Sequence, residues 1–214
     1  KKLICNLGLR NQYYASLGNG SLEPRFQLRY MPWKSVGIKF AMGMYSQNLL
    51  SAMSDRDVVN LFYGFLSGPD NLPDSFNGKP VTTRLQKARH AVAGFDYRIN
   101  KKQTINIESF VKIFDQITNI NRDKLFADDE FNLDKPKRLR QDFIVENGNA
   151  YGGDISYKYS DKHWYLWAVY SLTYVNRFDG ITHYQPNFDR RHNANILLNY
   201  EFDKKHPSEV SLRW

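Results

Sequence analysis

The chain has 214 residues, of which 42% are hydrophobic and 15% aromatic, and its 30 Lys and Arg against 22 Asp and Glu give a formal charge of +8. No run of about 18 apolar residues occurs, which excludes a transmembrane helix. The mean hydropathy of -0.60 leaves membrane-spanning strands open, because such strands carry polar residues on one face. The cations are scattered along the chain, so we expect no nucleic-acid partner. The single cysteine, Cys5, excludes an internal disulfide and a multi-cysteine metal site.

The first predicted strand covers residues 3–12, where apolar residues alternate with polar residues or glycine. Gly18-Asn19-Gly20 predicts the turn that follows it. Residues 25–46 then predict a β-hairpin, whose first arm alternates Phe26, Leu28 and Tyr30 with polar residues. We expect the reversal at residues 31–34, because Pro32 cannot donate to a ladder. The apolar face of each arm is long enough to cross a bilayer when the strand tilts.

Residues 47–85 interrupt the alternation and predict a long loop with one small helix. Ser54 has the position of its N-cap, and Val58, Leu61 and Phe62 follow at helical spacing. Gly68-Pro69 predicts the end of that helix.

Six further strands are predicted from alternation, with insertions at about 118–146 and 175–189. Strand seven is apolar on both sides, and residues 166, 168, 170 and 172 are predicted as its outer set. The six predicted strands cover residues 89–99, 105–113, 149–159, 164–174, 193–202 and 210–214.

The predicted connections fall into two classes of length. Those after strands two, four, six and eight are short, those after three, five and seven are long, and the one after strand one is intermediate. This alternation places tight turns at one rim and large loops at the other, as in outer-membrane barrels. Aromatic residues cluster near the tight-turn rim and predict an interfacial girdle. They are Tyr30, Trp33, Tyr97, Tyr157, Tyr159, Trp164, Tyr200 and Phe202.

Three segments carry a resemblance to a known family: residues 188–195 (FDRRHNAN), residues 23–26 leading into 41–47, and residues 147–153 (NGNAYGG). In order and spacing they resemble the barrel strands of TonB-dependent outer-membrane receptors, of the SusC-related and carboxypeptidase-regulatory-domain-linked kinds. The resemblance covers most of the chain.

The resemblance implies an all-β fold, an antiparallel transmembrane β-barrel segment of about nine strands with short periplasmic turns and long extracellular loops. Residues 1–214 are then expected to be a partial barrel, with the plug domain and the remaining strands absent. The implied function is binding and import of a scarce ligand across the outer membrane of a Gram-negative bacterium. Expected partners are TonB, through the plug of the full-length protein, outer-membrane lipid or lipopolysaccharide, and a surface lipoprotein.

The sequence shows no catalytic or cofactor motif. None of the five histidines has metal-ligand spacing, and no phosphate loop or catalytic triad order occurs, so we expect no enzyme, no metal and no cofactor. For ligand contact we favour residues that face the lumen near the long-loop rim by strand phase. These candidates are Tyr45, Gln47, His90, Asp189 and Arg191.

Two other functions stay open at the level of sequence. The first is a small, self-contained outer-membrane barrel of eight to ten strands with a role in adhesion or structure. The second is a soluble β-rich binding module, which would have to cover the apolar strand faces to avoid aggregation.

Overall fold

A computed structural model describes residues 2–51, 65–67, 69, 72–202 and 208–214. These residues form long β-strands, several two- or three-residue strands in the loops, and three short 3-10 turns. The strands are β1 (Lys2–Tyr14), β2 (Asn19–Trp33), β3 (Val36–Gln47), β4 (Leu49–Ser51), β5 (Phe65–Ser67), β6 (Ser75–Phe76), β7 (Lys79–Pro80), β8 (Gln86–Arg98), β9 (Gln103–Ile120), β10 (Phe143–Ser160), β11 (Trp164–Phe178), β12 (His183–Tyr184), β13 (His192–Glu201) and β14 (Glu209–Arg213). The 3-10 turns are Ala15–Leu17, Glu130–Asn132 and Lys137–Leu139.

The long strands build one antiparallel sheet in the order β1-β2-β3-β8-β9-β10-β11-β13-β14, and β12 pairs with the end of β11. Every neighbouring pair is antiparallel. The predicted all-β, antiparallel fold of about nine strands is therefore confirmed. The sheet is not closed into a barrel, because β1 and β14 form its two edges in the part of the chain that the structure describes.

The predicted helix near residues 54–65 lies almost entirely outside the described residues. No helix among the residues that the structure describes is long and apolar enough to span a membrane.

The sheet has two chemically different faces because each strand alternates and the ladders are in register. The apolar face includes Leu7, Phe26, Met42, Ala91 and Val111, which follow one another across five strands. Leu7 is 83% exposed, and other large apolar side chains of this face are exposed too, including Leu3, Ile107 and Ile155. The four residues predicted as the outer set of strand seven lie on the apolar face. Leu166, Ala168, Tyr170 and Leu172 pair with apolar-face residues on both neighbouring strands.

Aromatic side chains lie at the tight-turn end of the apolar face, as predicted. Trp164 is paired with Tyr200, with ring centroids 4.5 Å apart. Tyr200 in turn meets Phe202 edge to face at 4.8 Å. Trp33 stays 68% exposed.

The opposite, polar face carries a network of charges over the tight-turn half of the sheet. Lys39 Nζ lies 2.8 Å from Asp96 Oδ1 and 3.9 Å from Glu108 Oε1. Asn106, on the same strand as Glu108, donates to Asp96 at 2.7 Å, so the network joins β3, β8 and β9. These polar side chains are paired with one another by ion pairs and a hydrogen bond. They all lie on one face of the sheet, and the apolar side chains lie on the other.

The first two reversals differ from their predicted positions. Between β1 and β2 the chain turns through Ala15–Leu17 and Gly18, whose φ of 59° suits glycine, while Asn19 and Gly20 already belong to β2. This connection is tight, not intermediate. Between β2 and β3 the reversal is made by Lys34 and Ser35 alone, whereas residues 31–33 belong to β2.

Pro32 lies in a β-bulge and not in the turn. The register passes from Tyr30↔Ile38 to Trp33↔Val36, so Met31 and Pro32 together oppose the single residue Gly37. A bulge tolerates proline because the extra residue is left out of the ladder. Pro32, which has no N–H, does interrupt the β2–β3 ladder as expected. The prediction that it lies in the turn is wrong.

β9 and β10 are 18 residues each and extend well into the insertion predicted at 118–146. The pairing shifts register between Glu146 and Gly148, where β9 holds one extra residue. Beyond the extra residue, odd-numbered residues of β9 lie on the face that even-numbered residues occupy before it. The alternation of residue types therefore breaks although the strand continues. The true connection is 121–142. In the same way β11 continues to Phe178, inside the insertion predicted at 175–189.

Two neighbouring tight turns are joined by an exposed ion pair. Lys102 Nζ donates to Asp161 Oδ2 at 2.9 Å, and the N–H of Ser160 donates to the carbonyl of Lys102. The hydrogen bond from Lys102 lowers the pKa of Asp161, and the same contact raises the pKa of Lys102. The pair therefore stabilises the fold above the ordinary carboxyl pKa and below the ordinary ammonium pKa, about 4 and 10.

We expect acidification to remove this stabilisation as the pH falls through the lowered pKa of Asp161. The measurement is the thermal unfolding midpoint at pH 7 and pH 3 for wild type, Lys102→Gln and, as control, Lys101→Gln. Wild type and Lys101→Gln should lose more stability on acidification than Lys102→Gln. An equal loss in all three proteins would contradict a role for this pair.

Candidate functional site

Five side chains form a continuous stack on the polar face, near the end of the sheet that carries the long connections. We call this stack the cation–aromatic ladder. In order across β2, β3, β8, β9 and β11 its members are Arg25, Tyr45, His90, Phe114 and Arg177.

Each member of the ladder contacts the next. The Arg25 guanidinium lies 4.8 Å above the centre of the Tyr45 ring, and Tyr45 stacks on His90 with centroids 4.5 Å apart. His90 meets Phe114 edge on at 6.4 Å, and the Arg177 guanidinium covers Phe114 at 4.4 Å. The two guanidiniums thus close the ends of a run of three rings.

The strand register explains why side chains from non-adjacent strands can meet. Tyr45 pairs with Ala88, Ala88 with Phe114, Phe114 with Gly148 and Gly148 with Arg177. The small residues Ala88 and Gly148 alternate with the large ones, so the large side chains reach across them. His90 is two residues from Ala88 on the same face of β8, and it fills the space between Tyr45 and Phe114.

Gly43 supplies the room for the first contact of the ladder. A Cβ at this position would lie 3.2 Å from both Arg25 Cγ and Tyr45 Oη. The bare backbone lets the tyrosine ring and the arginine stem lie against β3. A larger residue would push them apart.

Glu23 anchors the ladder at the β1–β3 end and is 1% exposed. Its Oε1 accepts hydrogen bonds from both the backbone N–H and the hydroxyl of Ser46, each at 2.9 Å. Its Oε2 accepts from Arg25 at 3.0 Å, and Arg10 lies 3.9 Å away. The carboxylate therefore fixes Arg25 in the orientation that covers Tyr45.

We expect Glu23→Ala to cost about 1–3 kcal/mol of unfolding free energy, because the part-buried N–H of Ser46 and the Arg25 guanidinium lose their acceptor. The measurement is denaturant unfolding followed by tryptophan fluorescence. Arg10→Ala is the matched control, since its pair is long and exposed, and we expect a cost below about 0.5 kcal/mol. Equal costs for the two variants would show that Glu23 is not an anchor.

Three of the five predicted ligand-contact residues lie together. Tyr45 and His90 belong to the ladder, and Gln47 follows on the same face of β3, paired with Gln86. The amides of Gln47 and Gln86 both donate to the carbonyl of Leu49 at 2.8 Å. Gln47 thereby shapes the start of the β3–β8 connection.

The other two predicted residues, Asp189 and Arg191, lie elsewhere. The Arg191 guanidinium lies 4.8 Å above the ring of Tyr174, which stacks on Tyr151 on the apolar face. Asp189 is 3.7 Å from Arg191 Nε, and its side chain is 5% exposed. The strand phase used for Arg191 does not apply, because β13 begins only at His192. A ligand contact by any of the five residues stays a prediction.

The long connections pack on one another next to the ladder. Lys137 forms an ion pair with Asp74, and Phe76 packs on Phe178 with centroids 6.2 Å apart. Arg138 bonds both Asp123 at 2.9 Å and the buried Asp179 at 3.5 Å. Contacts between three different connections hold the loop end of the sheet together.

A cavity of about 510 Å³ lies between these connections and the ends of β9, β10 and β11. Phe114 and Arg177 of the ladder line it, together with the Arg89–Asp115 ion pair. Ligand pockets commonly have this size. The Arg177 end of the ladder therefore borders a cavity, whereas Tyr45, next to the Arg25 end, is 37% exposed.

The chemistry that this surface offers is non-covalent binding. Aromatic rings and guanidiniums stack on planar or sugar-like surfaces, and guanidiniums bind carboxylate, phosphate and hydroxyl oxygens. Where the structure describes the chain, no group of three or more His, Cys, Asp or Glu side chains is arranged to hold a metal ion.

Sequence reasoning missed Arg25, Phe114 and Arg177 as members of the site. The alternation placed Arg25 on the polar face of its strand, but nothing in the sequence indicated its contact with Tyr45 on the next strand. Phe114 and Arg177 lay beyond the predicted ends of their strands. Extending the alternation of β9 by one residue past Ile113 would have put Phe114 on the face of Lys112 and His90.

A scan against protein-family models found no match, and searches of curated proteins and of solved structures found no similar protein.

Proposed function

We propose that this chain is part of the barrel wall of a TonB-dependent outer-membrane receptor, which binds a scarce ligand and imports it. The observation that carries the proposal is the chemical difference between the two faces of one continuous sheet. A nine-strand sheet with an uninterrupted apolar face and a hydrogen-bonded polar face suits a wall between lipid and a water-filled lumen.

The asymmetry of the two sheet ends supports the same proposal. Tight turns connect β2 to β3, β8 to β9 and β10 to β11, whereas 121–142 and 179–191 are long connections at the opposite end, which also carries the short β1–β2 turn. Trp33, Trp164 and Tyr200 are among the aromatic side chains of the apolar face that lie beside the tight turns, as aromatic residues do at the periplasmic interface of outer-membrane barrels, although other aromatic side chains of this face lie farther along the strands.

The cation–aromatic ladder is the surface that we assign to ligand contact. It lies on the polar face below the long connections, where an incoming ligand would first meet the wall. Its rings and guanidiniums favour a ligand that combines a flat or ring-shaped surface with oxygen-rich polar groups.

A self-contained small barrel is less favoured, because β1 and β14 do not pair in the part of the chain described. A soluble module is also less favoured. Leu3, Leu7 and Ile155 would be exposed to water, since no second layer covers the apolar face within the described ranges.

The test begins with the complete reading frame and then follows the full-length protein. We expect a plug domain and further strands in the frame, recovery in the outer-membrane fraction, and ligand uptake that stops when TonB is deleted. A frame without plug or further strands, or recovery in a soluble fraction, would contradict the proposal.

A further inference from the structure

A second cavity, of about 730 Å³, lies at the tight-turn end of the sheet, away from the ladder. It forms beside the β2–β3 turn, where Met31 and Pro32 of the bulge together oppose the single residue Gly37. We call it the bulge cavity. Gly37 is buried and has no side chain to occupy this space, and the volume of the cavity is within the range of small-molecule sites.

The strand registers place the charged lining of the bulge cavity on the polar face of the sheet. Asp96, which lines the cavity, belongs to the polar-face network with Lys39. Arg98 is two residues along β8 from Asp96 and therefore lies on the same face. Arg29 pairs with Lys39 across the β2–β3 ladder, and Lys2 pairs with the residue two positions from Arg29. The cavity therefore opens on the same side of the sheet as the ladder.

Positive charge dominates the lining of the bulge cavity. Its cations are Lys2, Arg29, Lys34 and Arg98. Asp96 is its single carboxylate among the described residues, and it already contacts Lys39 Nζ at 2.8 Å and the Asn106 amide at 2.7 Å. Arg29 reaches Asp96 only at 4.0 Å. The one carboxylate is thus poorly placed to neutralise the four cations.

Three of the four cations have no counter-charge. Within the described part of the chain, the side chains of Lys2, Lys34 and Arg98 make no ion pair, and all three residues are exposed. Cations that surround one cavity without a counter-charge create a site of positive potential. Lysine and arginine bind carboxylate and phosphate oxygens through charge-assisted hydrogen bonds. The complementary ligand is an anion with more than one charged group.

The face on which the cations lie also decides what kind of anion fits. A phospholipid does not fit, because its acyl chains would have to lie on the apolar face, on the other side of the sheet. A water-soluble anion meets the polar face alone. The ladder, at the other end of this face, presents the guanidiniums of Arg25 and Arg177, which also favour oxygen-rich groups.

We propose that the bulge cavity is a second binding site for the imported ligand, and that this ligand is a water-soluble anion with at least two carboxylate or phosphate groups. The link between this cavity and import rests on the proposed function. Binding of such an anion to the cavity rests only on the charges and the strand registers.

The test measures the binding of citrate and of inorganic pyrophosphate to the full-length protein in a non-ionic detergent, by isothermal titration calorimetry at fixed ionic strength. The cavity variant is Lys34→Gln with Arg98→Gln. The control is Lys101→Gln with Lys162→Gln, which removes the same charge from neighbouring turns outside the cavity. Neither Lys34 nor Arg98 has an ion pair to lose, so we expect equal thermal midpoints for the three proteins without ligand.

We expect wild type and control to bind at least one of the two anions with equal affinity, and the cavity variant to bind it about tenfold more weakly, since two charge-assisted contacts are lost. Tighter binding of citrate would assign the site to carboxylates, and tighter binding of pyrophosphate would assign it to phosphates. Equal affinities in all three proteins, or no binding of either anion by wild type, would overturn the site.

Failure of this site and failure of the proposed function give different results. A protein that is recovered in the outer-membrane fraction and imports its ligand with TonB, but binds neither anion, would overturn the site alone. A protein that binds an anion through Lys34 and Arg98, but is recovered in a soluble fraction, would overturn the proposed function and the role of the cavity in import.

Discussion

If the sheet spans a membrane as proposed, replacing Ile155 by lysine is expected to prevent stable assembly of the protein. Ile155 lies at the middle of the apolar-face positions of β10, between Ile107 and Tyr170 on the adjacent strands, and it is 46% exposed. A lysine facing lipid near the bilayer midplane costs about 2–4 kcal/mol. That cost is a large part of the stability of an ordinary fold.

The adjacent Ser156 provides a matched control at the same depth on the opposite face. Ser156 pairs with Asn106 and Val169 on the polar face, where a lysine remains in contact with water and with Asp154 nearby along the strand. We expect Ser156→Lys to reach the outer membrane at the wild-type level. The measurement is the amount of each full-length variant in the outer-membrane fraction and its heat-modifiable gel migration. Equal recovery of both variants would contradict a lipid-facing apolar side.

The second large effect is expected from Gly152→Ala. Gly152 is on the polar face of β10, opposite Phe110 and Thr173. A Cβ here would overlap the backbone carbonyl oxygen of Leu172 and lie 3.0 Å from Phe110 Cζ. A backbone atom cannot rotate away as a flexible side chain can, so β10 and β11 would have to shift. Overpacking of this kind costs about 1–3 kcal/mol.

Gly8→Ala in β1 is the control for this substitution. The nearest atom to its added Cβ would be Arg25 Cβ at 3.7 Å, an ordinary contact. We expect a change within about 0.5 kcal/mol, because alanine also restricts the unfolded chain. The measurement is the denaturant midpoint of both full-length variants in the same detergent. A Gly152→Ala midpoint equal to that of Gly8→Ala would show that the strands adjust without cost.

Strand identity could be predicted from sequence because alternation is a local property. The clear pattern around Ile196 and Leu198 sufficed to find β13 without knowledge of its neighbours. Strand ends could not be predicted equally well, since a bulge such as the one near Glu146 reverses the pattern without ending the strand. Phe114 and Arg177 lay beyond the predicted ends of their strands, so two of the five ladder residues could not be placed.

Contacts across strands depend on register, which alternation leaves undetermined. Tyr45 and His90 were both predicted at the loop end of the polar face, but their stacking follows from the pairing of Gly43 with His90. The pairing of Arg191 with Tyr174 depends on where β13 begins, and no residue pattern indicated that point.

The antiparallel order of the nine long strands also sets a parity rule. Adjacent strands run in opposite directions, so β1 and β14, separated by eight pairings, run in the same direction. A seam joining these two edges directly would have to be parallel. For a barrel that is antiparallel all the way round, the additional strands must be odd in number. A sequence proposed to close the sheet into such a barrel can therefore be tested by counting its strands.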